Sequence, residues 1–148
     1  MPHSLARLHI HLVFSTKNRQ RLITNAIRPS LHAYMGAVLK SMGCHPVLIN
    51  SVEDHIHLLF ELARTEALSN VTEKVKNTSS KWIKTQSAQL STFAWQPGYG
   101  AFAVSWSNVK RVRKYIAHQE AHHRTKSFQA EHRALLMRHQ IPFDEKHL

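Results

Sequence analysis

The chain has 148 residues, 43% of them hydrophobic, with four glycines and five prolines; this suits one ordinary buried core and excludes a disordered or low-complexity chain. Lys and Arg number 20 against nine Asp and Glu, a net charge of +11 before any of the 13 histidines is protonated, so a polyanion, nucleic acid first, is the expected partner. Cys44 is the only cysteine, which excludes an internal disulfide and a multi-cysteine zinc site, and the lack of a membrane-length apolar run or a signal-peptide core predicts a cytoplasmic protein with no membrane partner.

Residues 8–15 alternate, with Leu8, Ile10, Leu12 and Phe14 on one face and His9, His11, Val13 and Ser15 on the other, which predicts a strand. A basic turn containing Lys17 and Arg19 follows. Between 24 and 42, Ile27, Leu31, Tyr34, Met35, Val38 and Leu39 keep helical spacing, and Gly43 supplies the stop. Residues 44–52 predict a second strand, joined through a tight turn at Glu53 and Asp54 to a third strand in the stretch 52–60. Ser69 is the expected N-cap of a second amphipathic helix built on Val71, Val75, Thr78, Trp82 and Ile83, whose outer face carries Lys74, Lys76, Lys81 and Lys84. Residues 101–106 predict a fourth strand, entered through a turn bracketed by Gly98 and Gly100. Ser107 is the expected cap of a third helix that runs to about residue 122 on Val109, Val112 and Ile116, and a last short helix is expected around 128–139. The order β-α-β-β-α-β plus two C-terminal helices predicts an α+β fold, the ferredoxin-like or RRM-like split βαβ plan, as one domain over 1–148. In that plan the first and third strands are central neighbours.

The third strand carries His55 and His57 on one face and Ile56, Leu58 and Phe60 on the other, so two imidazoles stand side by side on a rigid element. His9 and His11 repeat the spacing, but an acidic turn precedes His55 and apolar residues fix its strand in the core; His9 and His11 are expected to pack or to touch phosphate. A histidine-triad nucleotide hydrolase would need a third alternate histidine, and position 59 is Leu. On the third helix Arg111, Tyr115 and Gln119 follow i, i+4 spacing on one face. A phenol at its ordinary pKa of about 10 is a poor nucleophile, yet a nearby cation and a metal-bound phosphate can activate it. The amide oxygen of Gln119 can complete a His, His, amide set suited to magnesium or manganese. Lys110, Arg111, Arg113 and Lys114 lead into Tyr115 as a positive field for phosphate. Trp82, Trp95, Tyr99, Phe102 and Trp106 are candidate stacking faces for unpaired bases, with Phe102 and Trp82 expected in the core. Glu120 and Glu131 read as surface or ion-pair residues, and His118, His122 and His123 as a hydrated basic helix end.

The segments HLVFSTKNR, DHIHLLF, WQPGYGAFAVS and YIAHQ followed by HH stand in an order and spacing that resembles the single-tyrosine HUH transposases of small bacterial insertion sequences and their REP-associated relatives. The resemblance covers nearly the whole chain. It implies that His55 and His57 are the HUH pair, that Gln119 is the third ligand to a divalent metal, Mg2+ or Mn2+, and that Tyr115 is the nucleophile. It also implies single-stranded DNA hairpins as substrate and a homodimer as the working form, with sheets joined and the tyrosine helix able to cross to the other subunit. The short link around Ser107 adds an expectation that Tyr115 serves the histidines of the other subunit, with a site inside one chain as the alternative if the link is relaxed. Lys17, Arg19 and the run before Tyr115 are the expected DNA contacts. No Walker-type loop calls for a nucleotide cofactor. Two other readings fit the same residues: a domesticated relative acting on repetitive palindromes, and a non-catalytic module that binds single-stranded nucleic acid.

Overall fold

The computed structural model describes residues 3–119, 121 and 127–144. The alternating segments form strands β1 (His9–Ser15), β2 (His45–Ser51), β3 (His55–Glu61) and β4 (Gly100–Val104). The segments with helical spacing form α1 (Arg28–Ser41), α2 (Leu68–Lys84), α3 (Val109–Ala117) and α4 (Phe128–Arg138), and short 3-10 turns occupy Lys17–Arg19, Ala88–Leu90 and Trp106–Asn108. The sheet order is β2-β3-β1-β4, antiparallel throughout. This is the expected split βαβ plan, and its central pair sets Ser15 opposite His55 and Val13 opposite His57. No helix among the described residues is long and apolar enough to cross a membrane.

Period-two alternation gives the sheet two apolar faces. Leu12, Phe14, Ile56, Leu58 and Phe60 pack against Leu31, Met35 and Leu39 of α1 and Val71, Val75 and Ile83 of α2. On the opposite face Val13 and Phe102 meet Phe128, Leu135 and Leu136 of α4, while Leu59 meets Val109 and Ile116 of α3. Gly43 ends α1 with φ +76°, a backbone region open to glycine at little cost. Gly100 is needed for space, since a Cβ there would lie 2.9 Å from His132 Nε2 and 3.2 Å from Val13 Cγ1.

Several local expectations shift. Ser69 lies inside the first turn of α2, and extended Ala67 is the N-cap. Ser107 lies in the 3-10 turn after β4, and Asn108 precedes α3. β4 ends at Val104, so Trp106 leaves the sheet and packs beneath the Arg7 guanidinium. β3 begins at His55 because residues 52–54 form the hairpin turn, closed by Val52 N donating to His55 O. Lys76 is half-buried, donating from Nζ to Gln96 O and Gly98 O at 2.8 Å each, and therefore pins the loop before β4. α3 ends at Ala117 with a turn at His118, after which Gln119 and Ala121 are again helical; Glu120, His122 and His123 lie outside the described residues.

Candidate functional site

His55 and His57 project from β3 beneath α3 and α4, and both are fully buried. Burial of an imidazole demands a partner for each ring nitrogen. His55 Nδ1 meets Asp54 Oδ1 at 2.7 Å, so the carboxylate of the hairpin turn takes that N–H and leaves Nε2 toward the site. His57 Nδ1 meets His11 Nε2 at 2.7 Å. His11 thus belongs to the site and does not merely pack. Its pKa is lowered to about 3, by burial first and by the neighbouring His57 second, so it stays neutral.

Glu131 closes the arrangement. It is 2% exposed, with Oε1 2.9 Å from His57 Nε2 and 3.4 Å from His55 Nε2, and with Oε2 accepting a hydrogen bond from Tyr115 Oη. Gln119, also fully buried, brings Oε1 to 3.4 Å from His55 Nε2, and its Nε2 donates to Tyr115 O at 3.5 Å. All four residues singled out from the sequence therefore converge within one chain. Of the two arrangements left open by the sequence, this is the one within a single chain: the 3-10 turn at Trp106–Asn108 reverses the chain and returns α3 along the sheet.

The electrostatics follow from that crowding. Burial lowers the pKa of His55, but hydrogen bonds and fields from Asp54 and Glu131 outweigh it and leave the ring above its ordinary value. Burial, then the hydrogen bond and charge of Glu131, push the Tyr115 phenol up, partly offset by Gln119 and Arg138. The tyrosine is held as a neutral donor to Glu131. His55, His57 and Glu131 bring ligand atoms within 4.8 Å of one another. Such a nitrogen and carboxylate set, with a second carboxylate orienting one histidine, can hold a metal ion.

Of the two expectations for Glu131, surface or ion-pair residue, burial overturns the first, while its contacts with His55 and His57 fit the second. A signal was present: Phe128, Glu131 and Leu135 share one stripe of α4, and a carboxylate on an apolar stripe either breaks the helix packing or enters a site. Ser127, whose hydroxyl accepts from Ala130 N, starts α4 at the register that points Glu131 inward.

The expected DNA contacts fall in two places. Lys110, Arg111, Arg113 and Lys114 are exposed along α3. Lys17 and Arg19 lie in the turn after β1, where Thr16 N donates to Asp54 O, so this turn borders the histidine end of the sheet. Among the aromatics, Trp95 and Phe102 are buried and Trp82 stacks on Tyr34, which leaves Tyr99 at 42% exposure and Trp106 at 64% as open faces.

A family model described as "Transposase IS200 like" matches residues 4–119. The ISDra2 transposase TnpA of Deinococcus radiodurans is 22% identical over 118 residues, covering 76% of this chain and 84% of that protein. A crystal structure of a Deinococcus radiodurans R1 protein assigned as a transposase superposes with a TM-score of 0.64 at 18% identity, over 80% of this chain and 95% of that one. A REP-associated tyrosine transposase bound to a REP hairpin superposes with a TM-score of 0.62 at 14% identity, over 83% of this chain and 72% of that one. Both share the fold described above.

Proposed function

The chain belongs to the IS200-like transposase family, whose members cut DNA, and we propose that it nicks and rejoins single-stranded DNA at hairpin-bearing ends through a phosphotyrosine on Tyr115. The observation that supports this reading is the meeting, inside one chain, of Tyr115, His55, His57 and Gln119 around the Glu131 carboxylate. These groups come from separate elements, and packing alone does not require two imidazoles, an amide, a phenol and a carboxylate at one buried point.

His55, His57 and Gln119 would hold Mg2+ or Mn2+, with Glu131 Oε1 as a further donor, and such an ion would supply Lewis-acid polarisation of the scissile phosphate and charge stabilisation of the leaving 3′-oxygen. Asp54 holds the His55 tautomer, and His11 orients His57. Tyr115 Oη attacks phosphorus as its proton passes to Glu131 Oε2, which already accepts its hydrogen bond. The P–O3′ bond breaks, the 3′-oxygen takes a proton from water, and the 5′-phosphate stays on the tyrosine. A new 3′-hydroxyl reverses the exchange, and the ester conserves the bond energy without a nucleotide cofactor.

Lys17, Arg19, Lys110, Arg111, Arg113 and Lys114 supply phosphate contacts on either side of this point. The relative that holds a REP hairpin supports a folded single strand as the ligand class. That relative also favours the second reading, a domesticated enzyme acting on repetitive palindromes, and the repeats flanking the gene distinguish it from an element's own enzyme. A homodimer is the assembly proposed, because β2 and β4 each pair with one strand only among the described residues and so leave free edges.

Tyr115→Phe tests the covalent step. Incubated with hairpin-bearing single-stranded DNA and Mn2+, the parent is expected to form a protein–DNA adduct on a denaturing gel. The variant should form none while binding the hairpin within a few-fold of the parent. Cleavage that persists in the variant removes Tyr115 from the reaction.

A further inference from the structure

On the side of Tyr115 away from β3, the molecule holds a cavity of about 680 Å³ between β1, β4, α3 and α4, within the roughly 300–1,000 Å³ typical of small-molecule sites. Phe102, Val104, Val112 and Leu135 give it apolar walls, and it begins at Tyr115 and His11. Arg7, Arg111 and Arg138 also line it, and all three are exposed residues. An apolar slot edged with guanidinium groups, starting at a tyrosine, suits a flat heterocycle linked to phosphates.

Two further observations point the same way. His9 lines the cavity and is 5% exposed, and its buried Nδ1 has no hydrogen-bond partner among the described residues. A buried polar atom without a partner is costly, and the edge of a nucleobase supplies both donors and acceptors. Trp106, 64% exposed, lies 5.6 Å from His9 by ring centroids and carries the Arg7 guanidinium at 4.4 Å. That is a largely exposed aromatic ring next to the cavity, with a cation over one of its faces.

We propose that this cavity is a nucleobase pocket that receives the unpaired base of the nucleotide whose 5′-phosphate Tyr115 takes. The base enters between the apolar walls beside the His9 ring, the arginines hold the flanking phosphates, and the next base along the strand stacks on Trp106. The opposite side of the tyrosine is closed by Glu131 and the histidines, so the cavity is the side on which a base can lie. The identity of the nucleotide rests on Tyr115 being the nucleophile. The pocket itself does not.

The test uses the full chain and a five-nucleotide, 5′-phosphorylated single strand labelled at its 3′ end, with each of the four bases in turn, or an abasic residue, at the first position. Fluorescence anisotropy should show at least one base binding about tenfold or more tighter than the abasic strand, as expected for base stacking. Ser105 lines the cavity and is exposed, with its hydroxyl accepting from Asn108 Nδ2 at 3.0 Å, so Ser105→Trp should fill the space and bring the based strand down to the abasic affinity, with an unchanged melting temperature and unchanged affinity for the abasic strand showing that the turn holds. Equal binding of all five strands by the parent overturns the pocket, as does a base preference that survives Ser105→Trp. Neither arm needs cleavage. A chain that cut DNA without the base preference would keep the proposed reaction and lose the pocket, and one with the preference but no cleavage would do the reverse.

Discussion

Asp54 decides which nitrogen of His55 faces the site, because its carboxylate, 2.7 Å from Nδ1, takes the N–H of that atom. Outer carboxylates of this kind typically account for about 10–100-fold in metal affinity. Asp54→Ala is therefore expected to weaken Mn2+ binding by about that factor in a calorimetric titration and to lower the melting temperature as well, because it leaves the buried His55 Nδ1 without its partner. Unchanged metal affinity would mean that the ring is oriented by packing against Phe128 instead. Strand and helix periodicities put His55 with His57 and Tyr115 with Gln119 on shared faces, and the family resemblance singled these pairs out from others of the same spacing, such as His9 and His11. His11 was harder to see. Its role depends on the antiparallel register that sets Val13 opposite His57 and lets His11 reach across diagonally, and no pattern within β1 states that register. Glu131 needed the α4 stripe to be read as facing inward, which only the packing of Phe128 and Leu135 decides.

At the scale of elements, α1 is tied to β2 by a hydrogen-bond-length contact of 2.7 Å between His32 Nε2 and Ser51 Oγ. Burial first, and the Arg28 charge second, lower the His32 pKa to about 4 from 6.5. Between those two values the unfolded chain takes up a proton that the folded chain refuses, so this contact's share of stability is complete above about pH 6.5 and declines as pH falls toward 4. The melting temperature should drop between pH 7 and pH 5, and it should drop less in His32→Gln, which keeps a polar partner for Ser51 but cannot titrate. Identical acid slopes for the two proteins would exclude His32 as a source. The strand and helix order was readable from alternation and i, i+4 spacing, whereas the ends were not. Ser69 and Ser107 have the right chemistry for caps, but Ala67 and Asn108 hold those positions, a displacement of one or two residues such as helix ends commonly show.

For the whole molecule, the decisive question is whether Tyr115 serves its own chain or a second copy. α3 is anchored to its own sheet: Ile116 is fully buried, Val109 is 8% exposed, both pack on Leu59 of β3, and Asn50 Nδ2 of β2 donates to Ile116 O at 2.8 Å. Lifting the helix away would expose those side chains at about 1.5–3 kcal/mol for a residue such as Ile116, unless a second copy offered the same surface in exchange. A dimer joined at a sheet edge need not exchange anything, because each chain already brings Tyr115 to its own Glu131 and histidines. Tyr115→Phe and His57→Ala, each inactive alone, should therefore stay inactive when mixed, since every chain carries one lesion in its own site. Subunit exchange would be verified by light scattering and by pairing differently tagged copies. Cleavage regained on mixing would show that α3 crosses to the partner during the reaction, and that the contacts holding Ile116 and Asn50 are remade on the other sheet.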